Sequence, residues 1–173
     1  MKKQFTLSGI LSVSIFSLLM VSSCDKEKEI TVTDQDLYEM AIETNGFTWY
    51  KNSETLLNST EESGHSQKLL KTRFNAVAAT KLDANGKVIA GSVFPEGSLI
   101  VKELFDDGPE VSVYAIRLKN SDTGNSDDKG WVWTILGADG EVLETSLNKG
   151  KNCIKCHTQD DNIDYMLLNK FFP

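Results

Sequence analysis

The chain has 173 residues, 18 Lys and Arg against 25 Asp and Glu, a net charge of −7 and a pI near 4.9. That balance excludes a nucleic-acid partner, whose phosphates require a basic face. Three Cys and two His confine metal or thiol chemistry to very few positions, in a chain long enough for one domain with a real core.

Met1-Lys2-Lys3, an apolar run from Phe5 to Val21 and the small residues before Cys24 form a bacterial lipoprotein signal over residues 1–23, with Cys24 the lipidated N-terminus after cleavage. An uncleaved membrane helix is the competing reading, since the run is long enough to span, but Ser8, Ser12, Ser14 and Ser17 weaken it. Residues 24–32, with Asp25-Lys26-Glu27-Lys28-Glu29, read as a solvated tether to the bilayer. Residues 33–173 then form a single domain, lipid-anchored in the cell envelope and facing the periplasm or the cell surface.

Thr33 is an N-cap with Asp36 in the first turn, and Leu37, Met40, Ala41 and Thr44 follow at helical spacing until Gly46 stops the helix. Phe47, Trp49 and Tyr50 are an aromatic anchor. Asn52 to Ser66 is polar, with Leu56 and Leu57 as its only apolar marks, and reads as a loop or frayed turn with His65 solvated at its end. Lys68 to Leu82 reads as a strand or turn leading into a short helix from Asn75, followed by turns at Asp83–Gly86 and Phe94–Gly97. Ser98 to Phe105 is a strand whose alternation puts Ile100, Lys102 and Leu104 on one face and Leu99, Val101, Glu103 and Phe105 on the other. Lys102 thus lies between apolar neighbours, although a solvated edge lysine fits the pattern equally well. Val111 to Lys119, Trp131 to Leu136 and Glu141 to Glu144 are further strands, the first with Tyr114, Ile116 and Leu118 on one side. Consecutive strands with short links imply an antiparallel sheet, hence an α+β domain. Asp161 is expected to cap a last helix presenting Ile163, Met166, Leu167 and Phe171 on one face.

Cys153-Ile154-Lys155-Cys156-His157 is a C-x-x-C-H motif. Two intervening residues let both thiols add to the vinyl groups of one haem, and a His directly after the second Cys turns beneath the ring to ligate its iron. Composition alone produces this pattern in roughly one of two thousand such chains. Zinc at Cys153, Cys156 and His157 would need a fourth ligand, and His65 is the only other His or Cys left for it in the mature chain. A dithiol redox pair would need the β-α-β setting that is missing here. Covalent haem c is therefore the expected cofactor. Only sixteen residues follow His157, and neither Met40, His65 nor Met166 is obviously placed as a second axial ligand, so the iron is expected to be five-coordinate with an open sixth position.

Val93 to Leu104 (V-F-P-E-G-S-L-I-V-K-E-L), W-V-W at Trp131 to Trp133 with the following Asp139-Gly140, the C-I-K-C-H motif and Asp164-Tyr165-Met166 together resemble the cytochrome P-460 family, including its c-prime-beta branch. The likeness covers roughly residues 65 to 171. It implies an antiparallel sheet packed with helices, haem on Cys153 and Cys156, His157 as the proximal ligand, and Lys102 as a residue that could be cross-linked to the porphyrin. It also implies a small nitrogen-containing ligand, either nitric oxide bound or hydroxylamine oxidised, with a redox partner cytochrome. The polar distal group expected of the hydroxylamine-oxidising members has no clear counterpart in the stretch from Val111 to Leu118, which offers mainly apolar residues with Tyr114 and Arg117, and that pattern favours gas binding. An electron-transfer cytochrome without a substrate of its own is the alternative, and a haem-free lipoprotein that binds a ligand or partner is a third class. A homodimer is compatible with all three.

Overall fold

The computed structural model describes residues 31–173. The expected signal segment, Cys24 and nearly all of the tether lie outside the described residues. Helix α1 (Asp34–Ile42) starts where expected, at a reciprocal capping box in which Thr33 Oγ1 accepts from the Asp36 amide at 3.1 Å and Asp36 Oδ2 accepts from the Thr33 amide at 2.9 Å. The box satisfies two otherwise orphaned donors. Leu37 and Ala41, one turn apart, are fully buried.

Seven strands form one antiparallel sheet: β1 (Thr48–Trp49), β2 (Leu57–Asn58), β3 (Leu69–Phe74), β4 (Leu99–Phe105), β5 (Val113–Lys119), β6 (Trp131–Gly137) and β7 (Val142–Glu144). Their order is β1-β3-β4-β5-β6-β7, with β2 also paired to β3. The α+β architecture expected from the alternating segments is therefore the one observed. Helix α2 (Ala76–Ala79), capped by Asn75, links β3 to the loops before β4.

The period of two along each strand sorts the side chains onto two faces. Leu99, Val101, Ile116, Leu118, Val132 and Leu136 pack with Leu37 and Ala41 of α1. Each such fully buried aliphatic side chain contributes about 1.5–3 kcal/mol, so this face holds the helix in place. The opposite face presents Phe74, Ile100, Trp131 and Trp133, on which the C-terminal segment packs through Tyr165, Met166 and Leu168. Lys102 is on that second face, between Ile100 and Leu104, as its alternation predicts.

The end of the chain departs from expectation. Asp161, Asp164 and Tyr165 all have positive φ, of 65°, 46° and 69°, and Ile163 and Met166 exchange two backbone hydrogen bonds of 2.8 Å. Residues 161–166 are thus a tight loop, and helix α4 (Leu168–Phe171) begins only after it. The Asp164 carboxylate accounts for the difference, because it accepts from the Phe94 amide at 3.0 Å and from Trp131 Nε1 at 3.2 Å. Those tertiary partners outcompete the local hydrogen bonds of a helix. The segment 52–66 also contains a little more order than a loop, in strand β2 and a 3-10 turn at Glu61–Ser63.

Candidate haem site

The motif sits on one turn of helix, α3 (Ile154–His157), that rests against the sheet through a glycine. Gly150 has φ +69°, a conformation that costs a side chain energy, and an added Cβ would lie 2.5 Å from Trp133 Cδ1. Its carbonyl accepts from the amides of Cys153 and Ile154 at 2.8 and 2.9 Å, so the turn starts directly under the tryptophan. Cys153, Cys156 and His157 then border one cavity whose sheet wall includes Thr72, Lys102, Arg117 and Trp133. The cavity opens to solvent, and its empty space with that open mouth counted is about 690 Å³.

His157 is oriented by its second nitrogen. Nδ1 lies 2.7 Å from the carbonyl oxygen of Tyr165, and a carbonyl can only accept, so Nδ1 carries the proton and Nε2 keeps its lone pair for a metal. The left-handed backbone at Asp164 and Tyr165 turns that carbonyl toward the imidazole. Trp133 packs edge-on against both the His157 and Tyr165 rings, at 5.2 and 5.4 Å between centroids. In the sequence D-Y-M, Asp164 thus anchors the loop, Tyr165 supplies the acceptor and Met166 fills the core.

Two positive charges shape the electrostatics. Arg117 is buried, and its Nη1 donates to the same Tyr165 carbonyl at 2.9 Å, while Nη2 meets Met166 Sδ. Burial foremost, then Arg117 and Lys102, push the pKa of His157 down to about 2, against the opposing pull of the Tyr165 carbonyl. Both histidines of the domain are neutral at pH 7, since His65 is lowered to about 3 by burial and the same two cations. Burial and Arg117 lower the Lys102 amine to about 8. Burial, with Glu144 adding to it, raises the Cys153 thiol to about 11, which opposes the thiolate that zinc would require.

His65 is a correction. It is half-buried and borders the cavity instead of standing in solvent, because Gly64 brings its loop against the motif, with a Cβ built there 3.9 Å from Cys156 Sγ. Thr72 and Arg117 are the other cavity residues that sequence reasoning did not place. Arg117 was visible only as a polar exception on an apolar strand, and Thr72 carried no signal. The wall is accordingly more polar than the strand pattern suggested.

The residues present fit a haem. Both motif cysteines are free thiols, one imidazole nitrogen is unengaged, and the Thr72 hydroxyl, opposite Lys102 in the sheet register, is buried in the cavity wall without a hydrogen-bond partner. Ser59, Thr60 and Ser98 are unpartnered in the same way away from the cavity, so the Thr72 hydroxyl fits a bound group without requiring one. Among the described residues, no set of three or more His, Cys, Asp or Glu converges as it would around a lone metal ion.

Comparison with curated proteins gives no match. The model of the Cytochrome P460 family matches residues 48–167, from β1 to the loop that carries the Tyr165 carbonyl, a span beginning earlier and ending sooner than the motifs alone marked out. With well over half of its length matched, this chain belongs to the cytochrome P460 family, and its cofactor is haem.

Proposed function

We propose that the protein holds haem c covalently through Cys153 and Cys156, with His157 Nε2 as the axial ligand and the sixth position open, and binds nitric oxide or oxidises hydroxylamine-like nitrogen compounds. Lipid on Cys24 anchors it to the cell envelope, and a partner cytochrome exchanges its electrons. The carrying observation is that both thiols and a tautomer-fixed imidazole border one cavity. Bound haem would supply an iron able to take a small nitrogen ligand or accept electrons from it.

The chain's own residues do the rest. Trp133 and the Tyr165 carbonyl fix the imidazole plane, and the apolar wall at Ile100 and Ala115 limits water. Lys102 has its pKa lowered to about 8, so about a tenth of it at pH 7 bears the free lone pair that a bond to porphyrin carbon requires. This supports a haem cross-link at Lys102, whose formation would break one amine N–H and one porphyrin C–H bond and pass two electrons to an oxidant such as a peroxide.

One observation favours a second reading, electron transfer without a substrate. His65 brings another imidazole to the same cavity, and as a sixth ligand it would close the site to small molecules.

The test uses the full chain matured in a host competent for c-type haem. Haem that stays with the polypeptide after acid-acetone extraction, and becomes extractable when Cys153→Ala, Cys156→Ala and Lys102→Met are combined, is expected. A high-spin ferrous spectrum that changes with nitric oxide supports the open site. A low-spin spectrum that ignores nitric oxide, and becomes high-spin in His65→Ala, selects the second reading. Digestion must yield the Lys102 peptide attached to haem if the cross-link exists, and a free Lys102 peptide removes that part.

A further inference from the structure

We propose that Arg117 is a positioning residue for the proximal imidazole. Through the shared Tyr165 carbonyl it restrains the donor strength of His157, and so sets how firmly the iron is held and how readily it is reduced. The inference rests on the haem reading above and concerns a residue that no motif marks.

One oxygen receives two donors. Tyr165 O lies 2.7 Å from His157 Nδ1 and 2.9 Å from Arg117 Nη1. A carbonyl that accepts from an iron-bound histidine alone draws on the Nδ1 proton and lends the ring imidazolate character, which makes it a stronger ligand. A guanidinium on the same oxygen competes for its electron density, and its positive charge stabilises the ferrous state over the ferric. The ligand is thereby kept close to a neutral imidazole.

Arg117 is built to hold that position. Its second arm meets Met166 Sδ, and its guanidinium carbon lies 4.9 Å from the Trp133 ring centre and 5.6 Å from that of Trp131. Among the described residues, no carboxylate is within ion-pair distance of it, the recorded pairs being those of Lys68, Lys71, Arg73 and Lys119. A buried cation satisfied by a carbonyl, a thioether and two ring faces costs stability. An aliphatic side chain would fill the space between two tryptophans more cheaply.

The test compares haem-loaded full-length wild type with Arg117→Gln, which keeps an amide donor and loses the charge, and Arg117→Lys, which keeps the charge. Resonance Raman of the ferrous protein reads the iron–histidine stretch, and spectroelectrochemistry reads the reduction potential. The Gln variant is expected to show a higher stretching frequency and a lower potential, with the Lys variant restoring the potential toward wild type. A haem-loaded Gln variant unchanged in both overturns the proposal and leaves the haem reading intact, whereas wild type that takes up no haem removes the reading itself. If neither variant folds, the wild-type stretch decides: a frequency typical of neutral imidazole supports the proposal, and one typical of imidazolate ligands overturns it.

Discussion

The helix-covered face of the sheet and the cavity wall on its other side bury charge in different ways. On the α1 face, Arg73 and Glu103 are both buried and joined at 2.8 Å, Lys71 approaches Glu103 at 3.3 Å, and Arg73 also donates to the carbonyls of Ala41 and Glu43 at the end of the helix. At the cavity wall, Lys102 and Arg117 lie one strand apart with no carboxylate within ion-pair distance among the described residues, beside two neutral histidines and an orphaned hydroxyl. Paired charge fastens one face of this sheet. The other face has one such pair away from the cavity, Lys119 with Asp164 at 3.7 Å, and the unpaired charge at the cavity itself, tolerated at a cost, marks where chemistry is intended.

The sharpest test of that contrast is Glu103→Gln. It strands a buried guanidinium and is expected to destabilise the haem-free protein by about 3–5 kcal/mol, measured by denaturant unfolding, while the spectrum of folded haem-loaded protein stays the same. A loss under about 1 kcal/mol would mean that the pair does not fasten the helix. Gly150→Ala, on the cavity side, combines a strained φ with the collision against Trp133 and should cost about 2–3 kcal/mol. Because Trp133 packs on His157, its haem uptake should fall as well, and an unaltered melting temperature would contradict the close approach.

The pH response should also separate the faces. His65 has a folded pKa near 3 against about 6.5 unfolded, so between those values the unfolded chain binds the extra proton. Stability is then fully present above about pH 6.5 and falls by up to about 1.4 kcal/mol for each unit below it. His65→Gln should flatten that slope by one proton's worth in haem-free protein, and an equal slope in both would show that His65 is solvated after all. The smallest effect has the opposite sign. Lys102→Met, removing an unpaired amine from an apolar flank, should leave haem-free stability unchanged or raise it by about 1 kcal/mol. A clear loss would mean that Lys102 has a structural partner.

What could be read in advance follows from how local each cause is. The capping box at Thr33 and the alternation through Leu99–Phe105, Val113–Lys119 and Trp131–Gly137 are written in neighbouring residues, and these elements stand where the pattern put them. Ile163, Met166, Leu167 and Phe171 also have helical spacing, yet burial there is set by Asp164 bonding to Phe94 and Trp131, some 70 and 33 positions away. His65 was misjudged for a similar reason, since nothing within a polar loop reveals that Gly64 carries it to the motif. The acceptor that orients His157 is a backbone oxygen, and main-chain atoms have no letter in a sequence.

The two motif cysteines follow all seven strands along the chain, and the segment after them is tied back to the start of the fold, with Tyr50 Oη donating to the Phe172 carbonyl at 2.8 Å and Asn169 Nδ2 to that of Val88 at 2.7 Å. A polypeptide leaving the ribosome therefore exposes the whole sheet before those thiols emerge. Whatever else folds first, the tail can be clasped over Tyr50 and Val88 only once its last residues are present.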